Sequence, residues 1–156
     1  MQTNIEGVKL TPLKIIPNEL GDILHAMKKD DEGYAGFGEA YFSTVKNGVI
    51  KGWKKHYHMT LNLVVPIGLV KFVAYDPRPE SPTKGIVFEE DLSPENYKRL
   101  TIPPGVWLSF QGQGPDLNML LNLASIKHDP TEADNLPVGT EEIPYMWRND
   151  PWKDLL

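Results

Sequence analysis

At 156 residues and 17.6 kDa, the chain can bury the core of one domain, and its 40% hydrophobic and 24% charged content is that of an ordinary globular protein. A net charge of −5 and a pI near 5.3 offer nucleic acid no general binding surface, and no apolar run approaches the roughly 18 residues of a membrane span. The absence of cysteine excludes disulfides, thiolate metal sites and a cysteine nucleophile, and an N-terminus (MQTNIEGVKL) without the build of a leader makes the cytoplasm the expected location.

Residues 8–16 alternate loosely around Pro12, which predicts an edge strand. Residues 18–29 place Leu20, Ile23, Leu24 and Met27 on one helical face, predicting about two helical turns that carry His25 as an ordinary surface or packing residue. A polar, glycine-rich connection (DDEGYAGFGE) follows. Strand-like runs then occupy residues 39–45, 49–53, 56–65, 69–75, 85–88, 99–102, 106–110 and 117–126. Turn signals separate them: Asn47-Gly48, Pro66 to Gly68, DPRPESPTKG, Pro103-Pro104-Gly105 and GQGPD. Many short strands at near-regular spacing predict an all-β sandwich or barrel. LSPENYKRL predicts one short helical turn, with Ser93 as N-cap and Pro94 in the first helical position. From Asp129 the chain is rich in proline, acids and tryptophan. It is expected to form an ordered arm whose Tyr145, Met146, Trp147 and Trp152 pack on the body or on a partner chain.

The densest chemistry lies in KGWKKHYHMT, residues 51–60. Read as one strand, it puts Lys54, His56, His58, Thr60 and Asn62 on one face and Tyr57, Met59, Leu61 and Leu63 on the other. The polar face either meets water or lines a pocket inside a barrel. Residues 117–126 likewise put Asn118 and Asn122 on one face, against Leu117, Met119, Leu121 and Leu123. A strand core rarely carries two amides without partners for them. Phe37, Glu39 and Tyr41 alternate in the same way.

GVIKGW (48–53), Tyr75-Asp76, SPTKG (81–85) and LSPENYKRLTIPPGVWLSF (92–110), in that order, resemble the dTDP-4-dehydrorhamnose 3,5-epimerase family of cupins, particularly its relatives in surface-polysaccharide pathways. GEAYFS (38–43) and IPYMW (143–147) resemble its flanking segments. The resemblance covers a core of about residues 34–147 in a single domain spanning 1–156. It implies a cupin double-stranded β-helix, or jelly roll, commonly a homodimer, with a pocket for a nucleotide-linked sugar. It implies no cofactor.

The resemblance also implies a base, an acid and an enolate-stabilising group around a carbon beside a ketone. Matched position by position, the family's catalytic histidine falls on Lys54 and its second histidine on Leu108. The acid tyrosine falls near Lys127 and His128. The aspartate that supports the base falls in Val138 to Glu142. The usual machinery is thus expected to be substituted. Lys54, His56 and His58 become the catalytic candidates, with Glu141 or Glu142 as the carboxylate. Lys54 serves as base or as enolate-stabilising cation. Glu39, Tyr41, Lys51, Asn62, Trp107, Asn118 and Asn122 are the substrate-binding candidates. Trp53 and Trp107 fill core or stack on a ring, and Lys51, Lys54 and Lys55 face solvent or attract a diphosphate. His56-Tyr57-His58 resembles the start of a metal-binding cupin motif, but the carboxylate and third histidine do not follow, so no metal is expected. The alternative is a cupin that binds a sugar nucleotide, or serves structurally, without turnover.

Overall fold

The computed structural model describes residues 1–147, which fold as short strands joined by turns and irregular loops, with no α-helix among them. In chain order the strands are β1 (Lys9–Pro12), β2 (Ile15–Ile16), β3 (Ile23–Leu24), β4 (Glu39–Thr44), β5 (Ile50–His56), β6 (Leu61–Ile67), β7 (Val70–Tyr75), β8 (Val87–Leu92), β9 (Lys98–Ile102), β10 (Trp107–Gly112), β11 (Met119–Ala124) and β12 (Ala133–Asn135). One antiparallel sheet runs β1-β9-β6-β11-β4 and a second runs β12-β5-β10-β7-β8. This is the jelly-roll sandwich that the strand spacing and the resemblance both imply. No helix among the described residues is long and apolar enough to cross a membrane.

Alternation along each strand builds the core. Leu63, Leu100 and Leu120 of the first sheet share one buried cluster with Phe72, Ala74 and Leu108 of the second. A second cluster lies on the outer face of the second sheet, where Trp53, Val73 and Trp107 meet Ile143 and Trp147 of the C-terminal arm. Tyr145 stands edge-on to both Trp53 and Trp147, with centroids 6.3 and 5.2 Å away. The arm therefore packs on the body, except that Met146 is 68% exposed. Trp152 lies outside the described residues.

Two local expectations give way. Residues 18–29 are not helical. They include the short strand β3, which pairs with β2 as a hairpin. Gly21 sits at φ +132°, and Leu20, on the would-be apolar face, is 98% exposed, so a helix there would have nothing to pack against. Tertiary bonds win instead. The fully buried Arg99 donates to the carbonyls of Ala26 and Glu32, both at 2.8 Å, and to the Asp31 carboxylate at 3.2 Å, holding this excursion extended. At LSPENYKRL, Ser93 Oγ accepts the Asn96 N–H at 3.1 Å, as an N-cap would, but the chain turns straight into β9 instead of continuing as a helix.

Candidate functional site

The segment predicted as one strand over 56–65 turns a corner. β5 ends at His56 in the second sheet and β6 begins at Leu61 in the first. Glu132 holds the corner: its carboxylate accepts the N–H groups of His58 (3.0 Å) and Met59 (2.8 Å), and its carbonyl accepts that of Tyr57. The Pro103-Pro104-Gly105 turn adds a tie, Gly105 N–H donating to the His56 carbonyl at 2.8 Å. Because the corner breaks the two-residue period, face assignments do not carry across it. Lys54, His56, Leu61 and Leu63 all line one cavity. Asn62 points away, bonded to Thr101 and to the Gly33 carbonyl.

A bulge against β10 resets the period a second time. Leu108 pairs with Lys54, but Ser109 pairs with Gly52. Gly52 takes φ +126°, and a Cβ there would sit 2.8 Å from the Leu108 carbonyl oxygen, so the bulge needs glycine. As a result Lys51, Lys54 and His56 line the cavity while Trp53 is buried in the outer cluster.

The cavity lies between the sheets and measures about 360 Å³. Met59, Leu61, Leu63, Leu108, Phe110 and Leu120 form its apolar part. Glu39, Tyr41, Ser43 and Asn122 add polar groups from the first sheet, and Lys51, Lys54, His56, His128 and Asn135 add them from the side of β5 and β12. His56 Nδ1 lies 3.5 Å from Glu132 Oε1, an ion-pair distance longer than a good hydrogen bond. Burial lowers the His56 pKa below its ordinary 6.5; Glu132 opposes the shift, while Lys54 and His128 add to it. Burial would raise Glu132, but the two backbone N–H donors and the neighbouring imidazoles outweigh it and hold the carboxyl below its usual range. The site therefore contains a neutral imidazole backed by a carboxylate at pH 7. On the first sheet, Asn122 Nδ2 donates to Tyr41 Oη at 2.8 Å. Burial first, then the Glu39 charge, raises the Tyr41 phenol. Lys51 is committed to the Thr44 carbonyl at 2.7 Å, and Glu39 Oε1 accepts the His128 N–H at 3.1 Å.

The structure thus brings Lys54, His56, Glu39, Tyr41, Lys51 and Asn122 together and leaves four candidates elsewhere. His58 is exposed beyond the end of β5. Asn62 is turned to the outer face. Trp107 lies under the arm, with Lys55 Nζ 5.0 Å above its ring. Asn118 is fully buried and consumed by backbone bonds to Leu69, Gly114 and Val45. Glu141 and Glu142 are exposed and lie outside the cavity lining; the carboxylate beside His56 is Glu132. Nothing local in the sequence marks Glu132. Its place follows from the β12–β5 pairing, Ala133 opposite His56, which only the fold reveals.

Comparison with known proteins agrees with this architecture. The family model described as dTDP-4-dehydrorhamnose 3,5-epimerase matches residues 2–154. The crystal structure of a dTDP sugar isomerase from Desulfovibrio desulfuricans superposes with a TM-score of 0.91 at 37% identity, covering 94% of each chain. A probable low-salt glycan biosynthesis epimerase from Haloferax volcanii is 26% identical over 144 residues, covering 91% of this chain and 89% of its own. The spore coat polysaccharide biosynthesis protein SpsL from Bacillus subtilis is 26% identical over 148 residues, covering 94% of this chain and 98% of its own.

Proposed function

The chain belongs to the dTDP-4-dehydrorhamnose 3,5-epimerase family, and we propose that it is a working epimerase of a dTDP-4-keto-6-deoxy-sugar. It would act in the cytoplasm, in the synthesis of a surface polysaccharide. The observation that carries this is the His56–Glu132 pair inside the cavity, 3.5 Å apart. A ketone acidifies the C–H on the adjacent carbon. An imidazole kept neutral by burial is suited to take that proton at neutral pH. Nδ1 faces Glu132, which leaves Nε2 for the substrate and gives the imidazolium a counter-charge once it forms. The negative charge then moves onto the ketone oxygen as the enolate. Lys54, two residues away on the same strand face and with no ion-pair partner among the described residues, supplies the cation for it.

The cavity, at about 360 Å³, has room for a sugar ring. The nucleotide would extend past it, with Glu39 and Lys51 placed to meet its polar groups. His58, Asn62, Trp107 and Asn118 have no part in this arrangement. We also propose a homodimer. Its support is the edge strand β4, whose outward Phe42 is 64% exposed next to the partly exposed Leu121.

The test is exchange. Incubated with dTDP-4-keto-6-deoxyglucose in D2O, the protein is expected to incorporate deuterium at a carbon flanking the ketone, and His56→Asn is expected to abolish it. Lys54 and Leu108, standing where the family resemblance expects histidines, favour one second reading, a binder without turnover. That outcome requires a thermal shift with dTDP and no exchange at any pH.

A further inference from the structure

Inverting a carbon requires the proton to leave from one face and return to the other, so a base on one wall needs an acid on the wall opposite. His56 stands on β5 of the second sheet. The polar side chains that the first sheet sends into the cavity are Glu39, Tyr41, Ser43 and Asn122. Glu39 accepts the His128 N–H, and a serine hydroxyl is a far weaker acid than a phenol.

Two observations single out Tyr41. Its oxygen accepts a bond from Asn122 Nδ2 at 2.8 Å, which leaves the phenol hydrogen uncommitted. Asn122 is only 7% exposed, yet its Oδ1 is buried with no partner. A buried amide oxygen without a partner is an unmet acceptor on the same residue that holds Tyr41.

We propose that Tyr41 is the acid that returns the proton from the face opposite His56, with Asn122 as its positioning residue. This rests on the epimerase activity proposed above. In the first half, His56 Nε2 takes the proton, and the C–H electrons become the enolate. In the second, the Tyr41 O–H breaks as a C–H bond forms on the opposite face and the enolate collapses to the ketone. The phenolate and imidazolium that remain are reset by proton exchange with water. Burial and Glu39 keep the phenol protonated until it donates. The acid thus comes from β4, not from the segment after β11 where the family resemblance implies it.

The full chain carrying Tyr41→Phe, given dTDP-4-keto-6-deoxyglucose in D2O, separates the two half-reactions by NMR. Deuterium exchange with retention needs only His56 and is expected to stay within about tenfold of the unmodified protein, while inversion falls by about 100-fold or more. Asn122→Leu is expected to lower inversion by about tenfold more than it lowers exchange, and Asn122→Gln to recover part of that difference. Unimpaired inversion in Tyr41→Phe, or exchange and inversion falling together, overturns the acid assignment and leaves the epimerase proposal standing. Absence of exchange in the unmodified protein overturns the epimerase proposal itself.

Discussion

Glu132→Gln removes one charge from beside His56 and little else, since the amide oxygen can still accept the N–H groups of His58 and Met59. At 3.5 Å, unit charges interact by about 5 kcal/mol at an effective dielectric of 20 and by about 1 kcal/mol in bulk water. The His56 side chain is 13% exposed on a cavity that admits solvent, so the pair lies between these limits, nearer the lower. The sign follows from the opposing influences. Burial, Lys54 and His128 lower His56, and Glu132 raises it. Without Glu132 only the lowering influences remain, so the imidazole titrates further below 6.5. The acid limb of the kcat/KM profile reports the base of the free enzyme, and it is expected to move toward acid. The plateau is expected to fall by about 10- to 100-fold, because a weaker base faces the carbon and its imidazolium has lost its counter-charge. A pH profile of epimerisation, with circular dichroism to verify folding, measures both. A limb that stays in place, or moves to higher pH, refutes the dyad.

Three further outcomes are expected. His56 has a lowered pKa in the fold, so the unfolded chain binds its proton first. Stability should therefore fall as pH drops through about 6.5, and His56→Gln should flatten that part of a melting-temperature profile; an unchanged slope would count against the buried imidazole. Trp53, 1% exposed, joins the arm to the second sheet and donates to the Val138 carbonyl at 3.3 Å. Trp53→Ala should cost about 3–5 kcal/mol in denaturant unfolding and open the arm to proteolysis; a loss below about 1 kcal/mol would mean that the outer cluster contributes little. Phe42→Arg should convert a dimer to a monomer by light scattering without lowering the melting temperature of the protomer; a dimer that persists would place the contact elsewhere.

Most of the strand positions were legible because period-two alternation and turn residues are local signals. Glu39, Tyr41 and Ser43 face inward as that period requires. The misread segments are those where distant contacts decide. Residues 18–29 have a helical pattern, but Arg99 takes their carbonyls. Residues 56–65 read as one strand because nothing in HYHMT marks a corner; the marker is Glu132, some 70 positions away, bonding the His58 and Met59 amides. The same dependence hid the site. Lys54 and His56 were legible as a face, while the carboxylate partner needed the pairing of β12 with β5, and Asn62 and Asn118 look like ligand groups until their structural partners are known.

If His56 is the base, as proposed, its relation to Lys54 accounts for proton chemistry with a lysine at the position where the family resemblance implies a histidine. Residues two apart on a strand share a face and lie about 7 Å apart along it. An imidazole moved from position 54 to 56 still faces the cavity but stands at the end of β5, next to the corner. There Glu132, the residue before β12, stands alongside, whereas Asn135 is the residue opposite position 54. Position 54 is paired with Leu108 on one side and with Asn135 on the other. Lys54 shares the strand face of His56, which suits a cation for an enolate oxygen two bonds from the reacting carbon. On the proposed reading the base stands at position 56 and the cation at 54, so the reacting carbon is expected to sit toward β12 and His128 instead of over Leu108.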